Sequence, residues 1–407
     1  MKFGIFSTGS TAARPTFLLA ALVLLASLLA LSGCGSSGSS SSSSSTSSTS
    51  SEGGAGSEGG EATTAAETES EGTLVPAPPT VPPTEIAITE PLPGTPPKGK
   101  EVVFLQCEVA SCERFSGAIE EAAEAIGWKA RIMPLNNSDP GSSLSSAIAQ
   151  KPDYIAMTGI PAAAMKPQLA EAAAKGIPVV SCGTTDPASP KGYQMECDGT
   201  LQPTAEYLGA WITNHSEGKA KVLGVSIPQF PALVSETEWL GSPGFEQMCP
   251  ECGYEELAVT VEDLAQGVVG QKVIAYMQAN PGIDYLYFTL GDLTIGVPEA
   301  LKATGGEIGE ATIVAALEDP FTIEGVIKGD VAATTPTPNE YMSWVMIDGL
   351  ARISLEGKLS PEYQKNVYEN IAVWVIDNPK AAESLPDNVW PGPENFQAQF
   401  KKLWGVS

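Results

Sequence analysis

Histidine, positive charge and long apolar runs are all scarce in this chain of 407 residues. Lysine and arginine total 22 against 48 aspartates and glutamates, which gives a formal net charge of −26. A chain this acidic repels nucleic acid and anionic lipid head groups, so we exclude both as binding partners. The only histidine is His215, and no Gly-x-Ser-x-Gly, HExxH or lysine-containing phosphate loop occurs. We therefore expect no enzyme, cofactor or metal ion; only a hydrolase built on paired carboxylates, which leaves no motif, stays open.

One apolar run, FLLAALVLLASLLAL, covers residues 17–31. It is shorter than the ~20 residues that a membrane-spanning helix needs. Lys2 and Arg14 precede it, and it runs into Leu-Ser-Gly-Cys at residues 31–34, so residues 1–33 are predicted to be a secretory signal peptide. The last four residues resemble a bacterial lipobox, which implies cleavage before Cys34 and lipidation of that cysteine. An uncleaved N-terminal anchor is the alternative, and both place the remainder outside the cytoplasm.

Residues 34–99 have the composition of a tether. Gly35–Ser57 is almost entirely serine, glycine and threonine, and Leu74–Pro97 is rich in proline. Such a segment has too little apolar surface to offset the entropy of ordering it. We therefore expect a disordered leash behind the lipid anchor, with extended polyproline II in its second part, and a globular body from about residue 100.

Six further cysteines lie in the body, and their even number in an oxidising compartment predicts disulfides. Fifteen connectivities are possible, of which three local pairs are the simplest. The CPEC spacing at 249–252 also fits redox exchange or half of a zinc site, although a second CxxC is absent. The cysteines are Cys107, Cys112, Cys182, Cys197, Cys249 and Cys252.

From residue 100 onwards, short apolar runs alternate with segments of helical periodicity. EVVFLQ at 101–106, DYIAMT at 153–158 and IDYLYFT at 283–289 are typical of buried strands. One set of strand–helix units ends near residue 181 and a second begins near residue 204. This pattern predicts an α/β fold with two doubly wound, parallel-sheet lobes. Ligands of such sheets bind beyond the carboxyl ends of the strands, so we expect a site in the cleft between the lobes.

Several segments resemble the type-I periplasmic binding proteins, the family of the ribose-binding protein. A helix ends in Ala-Gln-Lys at 149–151, a strand opens with Asp-Tyr-Ile at 153–155, and Gly-Ile-Pro-Val-Val follows at 176–180. Gly291-Asp292 and the segment Ile327–Asp330 resemble motifs of the family's second half. The resemblance covers most of residues 100–370.

The resemblance implies three crossings between the lobes, near Cys197–Asp198, near Ala316–Asp319 and after Gly357. The first lobe would then contain 100–197 with about 319–357, and the second 198–318 with about 358–407. It also implies that a monomer captures a small solute, commonly a sugar, outside the cytoplasmic membrane and delivers it to an ABC permease. The alternative is that the same clamp is the input domain of a membrane receptor.

The polar residues with which the family reads sugars are largely missing. Their positions fall on Gly183, Thr184, Gly199, Gly241, Gly291 and a position near Thr337. One interpretation is a solute that is larger or less hydroxylated than a monosaccharide, in an enlarged cleft. The other is that polar residues nearby supply the partners, namely Gln106, Glu108, Glu113, Gln229, Glu236, Glu238, Glu318, Asn339 and Glu340.

The residue types left at the strand ends are acidic and aromatic. Aromatic faces stack on sugars or flat rings and hold cations, and an acidic cleft would suit an amine. Asp198 and Asp319 fit equally well as helix caps, and Trp239 as a packed helix residue. The predicted ligand-binding residues are Gln106, Glu108, Ser111, Thr184, Asp198, Phe230, Trp239, Asp292, Asp319 and Thr337.

Overall fold

A computed structural model describes residues 74–109, 111–197, 199–371 and 373–406. The predicted signal peptide, the predicted lipidation site Cys34, the first part of the predicted tether and Asp198 lie outside these ranges. Across them, no helix combines the length and apolar character that a membrane span requires.

Five parallel strands form the sheet of the first lobe, in the order β2-β1-β3-β4-β5. All five residues of β3 are buried, because helices cover both faces of a parallel sheet. A short 3₁₀ turn, Ala162–Met165, precedes the third helix. The elements are β1 (Glu101–Gln106), α1 (Cys112–Ile126), β2 (Lys129–Pro134), α2 (Pro140–Ala149), β3 (Tyr154–Thr158), α3 (Lys166–Ala174), β4 (Val179–Cys182) and β5 (Met195–Glu196).

The second lobe repeats this topology with strands in the order β7-β6-β8-β9-β10, all parallel. The predicted fold class, two parallel-sheet α/β lobes, is confirmed. A 3₁₀ turn, Gly291–Thr294, follows the third strand. The elements are α4 (Leu201–His215), β6 (Lys221–Ser226), α5 (Pro231–Leu240), α6 (Pro243–Met248), β7 (Gly253–Ala258), α7 (Val261–Ala265), α8 (Val269–Ala279), β8 (Tyr285–Phe288), α9 (Val297–Ala303), β9 (Thr312–Ala315), α10 (Pro320–Lys328) and β10 (Ala333–Thr334).

Four more helices complete the body. A last strand was predicted at 371–376. Among its described residues only Ile376 pairs with the sheet, in one antiparallel bridge to Thr334. A 3₁₀ turn at Pro386–Asn388 lies between the last two helices. These helices are α11 (Asn339–Glu356), α12 (Pro361–Glu369), α13 (Pro379–Glu383) and α14 (Phe396–Trp404).

The predicted lobe boundaries are partly wrong. Residues 319–334 stay in the second lobe, because β10 still pairs with β9. Helix α11 packs against α1 in the first lobe, as the prediction had it. Helix α14 packs against α1 and α11, and α12 against β5, although both were expected in the second lobe. Within the described ranges the body therefore crosses between lobes four times rather than three: between β5 and α4, between β10 and α11, between α12 and Ile376, and between Trp390 and α14.

A buried carboxylate explains why the C-terminal helices join the first lobe. Asp348 of α11 is fully buried and accepts hydrogen bonds from Arg352 Nε at 2.8 Å, Tyr363 Oη at 2.6 Å and Trp404 Nε1 at 2.7 Å. The Trp404 ring also stacks on Trp344, with centroids 5.1 Å apart. A buried charge that lost these donors would be costly, so α12 and α14 are held against α11.

The six body cysteines form the three local disulfides that are simplest from the sequence. The pairs Cys107–Cys112, Cys182–Cys197 and Cys249–Cys252 have Cα–Cα separations of 5.7, 4.7 and 5.3 Å, within the range that disulfides allow. The first pair joins the end of β1 to the start of α1, and the second joins β4 to the crossing after β5.

Residues 74–98 differ from the disordered leash that the composition predicts. They contain no helix or strand, yet Ile86 and Ile88 are buried in the first lobe's core, the latter with 2% of its surface exposed. We call this segment the strap. The two buried isoleucines contribute to holding this segment on the first lobe. The average composition of the stretch, which is dominated by proline, gave no indication of this.

The strap is bound to both lobes. Near its start, Asn214 Oδ1 of α4 accepts from the Leu74 and Val75 N–H groups at 2.8 and 3.1 Å. Further along, strap carbonyls accept from first-lobe donors: Glu90 O from Arg352 Nη2 at 2.6 Å and Pro97 O from Trp128 Nε1 at 2.7 Å. Proline has no N–H but keeps its carbonyl, so a proline-rich chain is suited to being held by side-chain donors.

Substituting Ile88 tests whether the strap is folded in solution. We expect Ile88→Ala to lower the free energy of unfolding by about 2–4 kcal/mol, because it leaves a cavity where a buried side chain stood. Val81→Ala is the matched control, since the Val81 side chain is 76% exposed in the same segment. Urea denaturation of the mature chain measures both, and equal, negligible effects would mean that the strap is unbound.

Candidate functional site

The carboxyl ends of strands from both lobes meet at one cavity. Its walls come from the segments after β1 and β3 of the first lobe and after β6, β8 and β9 of the second. In both lobes the first and third strands of the lobe are neighbours from which the strand order runs in opposite directions, the switch point at which such sheets bind ligands. The cavity therefore lies where the sequence predicts the site.

The cavity is small and mostly apolar. The space open to the centre of a water molecule is about 100 Å³. The Cys107–Cys112 disulfide forms part of the wall, and Gly159 and Phe230 approach each other across the cleft: a Cβ on the glycine would lie 3.6 Å from the ring. The apolar wall also includes Val109, Phe115, Leu201, Leu233, Leu290, Leu317 and Met342.

An arginine closes the polar end. Arg114 of α1 donates to both carboxylate oxygens of Glu340 at 2.9 Å each, to Thr337 O at 3.2 Å, and to the Glu318 carboxylate at 3.4 Å. Glu318 follows β9 in the second lobe, so this arginine bridges the two lobes. All three of its nitrogen atoms are engaged by protein groups.

Glu318 is buried at the junction of the lobes. Its carboxylate accepts from the Thr337 N–H and, at 3.1 Å, from the Trp390 N–H. Burial raises the pKa of Glu318 to about 8, against the opposing effect of Arg114. The side chain fixes the chain on either side of a crossing and is already occupied by protein donors.

Asp292 has an unused oxygen. Ser111 hydrogen-bonds to the Asp292 carboxylate across the cleft, while Oδ2 is buried and has no partner within the described part of the chain. Burial, together with the charge of Asp319, raises the pKa of Asp292 to about 6. A carboxylate kept dry and half-satisfied is a signature of a binding site rather than of a stable core.

Three other buried oxygens at this end also lack partners in the described chain. Asp319 caps α10 through Oδ1, which accepts from Thr322 N at 2.8 Å, and its Oδ2 is left over. Asn339 donates through Nδ2 to Ser111 O at 3.3 Å, and its Oδ1 is left over. The fourth is Thr337 Oγ1. Asn339 and Thr337 both line the cavity.

Five of the predicted ligand-binding residues lie at or beside the cavity. Ser111, Phe230 and Thr337 line it. Asp292 adjoins it through Ser111, and Asp319 adjoins Asp292 through its charge.

The others lie elsewhere. Gln106 accepts from Ser116 Oγ at 2.5 Å, and Glu108 is exposed, accepting from Asn137 N at 3.4 Å. Thr184 donates its hydroxyl to Glu196 at 2.8 Å beneath the cleft. Trp239 packs against Phe245, with ring centroids 6.4 Å apart. None of these four lines the cavity, and Asp198 lies outside the described residues.

Two of the glycines at the family's sugar-reading positions, Gly199 and Gly291, do not enlarge the cleft, whereas Gly183 lines the cavity. A Cβ on Gly291 would lie 2.9 Å from Leu317 O and 3.0 Å from Asp319 N. One on Gly199 would collide with the Tyr368 carbonyl, which accepts the Gly199 N–H at 3.0 Å. The protein's own backbone fills that space. Among the alternative polar residues, Glu318 and Asn339 reach the cavity wall.

Sequence reasoning missed most of the apolar wall. Leu290 and Leu317 directly follow β8 and β9, so the rule that ligands bind beyond strand ends would have found them. Met342 lies on α11, which the sequence placed in the first lobe without indicating that this helix faces the cleft. No group of three or more histidines, cysteines or acids in the described part of the chain is arranged to hold a metal ion.

Comparison with known proteins agrees with this architecture. The model of the periplasmic binding protein domain matches residues 112–358, more than half of the chain. The chain therefore belongs to the periplasmic binding protein family, whose members work outside the cytoplasm. No curated protein sequence matches it significantly.

Solved structures show the same fold at low identity. GanP, a glucose-galactose binding protein from Geobacillus stearothermophilus, is 22% identical, with a TM-score of 0.58 over 71% of this chain and 100% of its own. An ABC transporter solute binding protein from Agrobacterium vitis with bound allitol is 15% identical, with a TM-score of 0.60 over 70% and 98%. The fructose-binding periplasmic domain of a hybrid two-component system is 19% identical, with a TM-score of 0.58 over 75% and 99%.

The raised pKa of Asp292 has a measurable consequence for stability. The folded pKa of about 6 exceeds the ordinary value of 3.8, so the folded state binds more protons than the unfolded state between these values. Stability contributed by this group is therefore lost as pH rises from about 4 to 6 and stays lost above. Asp292→Asn should become more stable relative to the native protein by about 1–3 kcal/mol between pH 4 and pH 8.

Urea denaturation at the two pH values measures this change. Glu324→Gln is the control, because Glu324 is an exposed carboxylate on α10 that pairs with the exposed Lys328 at 2.6 Å. If native protein and Asp292→Asn lose stability equally between pH 4 and pH 8, Asp292 ionises normally and the site is wetter than described.

Proposed function

We propose that this protein is a solute-binding protein that closes its two lobes around a small molecule and delivers it to an ABC import permease. The observation that supports this most directly is the cavity between the lobes, where strand ends from both sheets converge and buried oxygens are left without partners. Buried polar atoms are normally paired, and a ligand that pairs them stabilises the closed form. Hinge closure between two lobes is the motion expected of such a clamp.

The proposed ligand contacts are Ser111, Phe230, Asp292, Asp319 and Thr337, with Asn339 added from the cavity wall. We propose further that Cys34 carries the lipid anchor and that residues 35–73 place the body away from the outer face of the cytoplasmic membrane. Relatives of the same fold that bind glucose, galactose or allitol support the role as a solute-binding protein. At 22% and 15% identity, the ligands of these proteins do not indicate which ligand this protein binds.

A second candidate is a sensor. It is favoured by one observation, the shared fold with the fructose-binding domain of a two-component system. Deleting the gene separates the two: loss of uptake of the solute supports transport, whereas unchanged uptake with a lost transcriptional response supports sensing.

Blocking closure tests the clamp without knowledge of the solute class. Gly159 faces the Phe230 ring across the cleft, so the larger side chain of Gly159→Leu would hold the lobes apart. Gly176→Leu is the matched control: both glycines have positive φ, 72° and 69°, but nothing lies within 4 Å of a Cβ on Gly176. Both variants should lose roughly 1–3 kcal/mol of stability through backbone strain.

Only Gly159→Leu should lose ligand binding, by at least tenfold, and its radius of gyration should not shrink when ligand is added. A thermal-shift screen of small organic solutes identifies a ligand, since a hundredfold excess over Kd adds about 2.7 kcal/mol to stability. Small-angle X-ray scattering measures closure. If Gly159→Leu binds as tightly as Gly176→Leu, the cleft is not where the solute binds.

A further inference from the structure

We infer that the solute is a small organic amine, bound with its ammonium group against the unpaired oxygens near Ser111 and its hydrocarbon body against the apolar wall. This inference rests on the proposed function and names the class of ligand that the clamp takes. It differs from the polyols and sugars bound by proteins of the same fold.

The first argument is the kind of atom left without a partner. Asp292 Oδ2, Asp319 Oδ2 and Asn339 Oδ1 can only accept hydrogen bonds from a ligand, and Thr337 Oγ1 is a hydroxyl. Ser111, Thr337 and Asn339 line the cavity. Asp292 and Asn339 are each 2% exposed and both hydrogen-bond to Ser111, and on this ground we place their free oxygens beside that end of the cavity. An ammonium group offers three donors and no acceptor, which complements this set.

The second argument is that the strong donors are already used. A sugar presents hydroxyls that must both donate and accept, and binding proteins meet the second need with arginine or asparagine donors. Here Arg114 spends its nitrogens on Glu340, Glu318 and Thr337 O, and Asn339 Nδ2 donates to Ser111 O. A polyol would leave its own oxygens unsatisfied in a dry site, which costs affinity.

The negative charge around the site also favours a cationic ligand. Asp319 and Glu340 act on the cation Arg114, and the charge of Asp319 also acts on Asp292. A neutral solute does nothing to offset this excess of acid when the lobes close and exclude water. A cationic group does, and its hydrogen bonds to carboxylates are stronger than those between neutral partners.

The apolar wall of the cavity and the cavity volume indicate what the rest of the ligand is like. Phe115, Phe230, Leu233, Leu290 and Met342 offer nothing to a hydroxyl but pack well against a hydrocarbon. An apolar protein cavity of about 150 Å³ holds benzene. The space of about 100 Å³ found here is smaller and by the same proportion suits a hydrocarbon body of about four or five non-hydrogen atoms. Phe230 adds an aromatic face to which a cation is attracted.

Matched pairs of ligands test the class. Isobutylamine and cyclopentylamine are compared with isobutanol and cyclopentanol, which share their shape but lack the positive charge, and with ribose and myo-inositol. Isothermal titration calorimetry at pH 7.5 measures affinity for the mature chain. We expect each amine to bind at least tenfold more tightly than its alcohol, and the sugars to bind more weakly than the amines.

Variants assign the preference to the site. Asp292→Asn should cut the ratio of amine to alcohol affinity to about threefold or less, and Thr337→Val, which keeps the shape but not the hydroxyl, should weaken amine binding about three- to tenfold. Glu324→Gln removes an equal charge from the surface of α10 and should leave the ratio unchanged. A ratio lowered equally by Glu324→Gln would show a general charge effect and overturn the assignment.

The possible failures are distinguishable. Alcohols or sugars that bind as tightly as the amines, with the lobes still closing, would overturn the amine class and leave the proposed function standing. If no member of the panel binds or closes the lobes, both the amine class and the solute clamp are contradicted.

Discussion

The central constraint on this protein is the removal of water from carboxylates between two apolar faces. Asp292, Glu318 and Asp319 are buried between the lobes, and Glu318 and Asp319 lie near Arg114. Glu318 is satisfied by Arg114 and two backbone N–H groups, whereas Asp292 and Asp319 each keep an unpaired oxygen. Unpaired charged groups that are shielded from water lower the stability of the folded protein. A bound cation that paired them would therefore raise that stability. The burial that raises the pKa of Asp292 is also the reason for the proposed preference for an amine.

The strap places a second constraint on the same motion. It is bound to α4 of the second lobe at one end and to α11 and α14 of the first lobe at the other. Any opening of the cleft must therefore stretch the strap, bend it or release one of its ends. Four crossings of the body already join the lobes, so the hinge of this protein has more connections than the family pattern predicts. The strap, which leads back to the proposed lipid anchor, is thus a further connection between the two lobes.

Most of the fold could be predicted from periodicity. Strands such as β1 and β3 are short apolar runs buried on both faces, and helices such as α1 show a clear apolar stripe, so their type and order follow from local sequence. The C-terminal assignments failed for a physical reason. Helices α12 and α14 are amphipathic and would suit either lobe; the buried Asp348, which accepts from Tyr363 and Trp404, decides between them. A partner 56 residues away leaves no local signal.

The site was predictable in position and partly in composition. Parallel strands place their carboxyl ends at one edge, which is why Ser111, Phe230, Asp292 and Thr337 could be named in advance. Trp239 could not be excluded from sequence, because an aromatic residue near a strand end looks the same whether it faces a cleft or, as here, packs on Phe245. The glycines that replace the sugar-reading residues suggested a larger cleft, but neighbouring backbone occupies the space at Gly199 and Gly291.

The sequence by itself determined the class of fold, two stacked sets of parallel β-α units, because apolar runs and helical stripes are local properties. It also determined the acidic character of the chain and the edge of each sheet at which the cavity lies. Only the tertiary structure decided which oxygens are left unpaired, which donors are already used, and that a proline-rich segment is bound rather than loose. Those outcomes depend on contacts between residues far apart in the chain, where burial and pairing, not local composition, set the free energy.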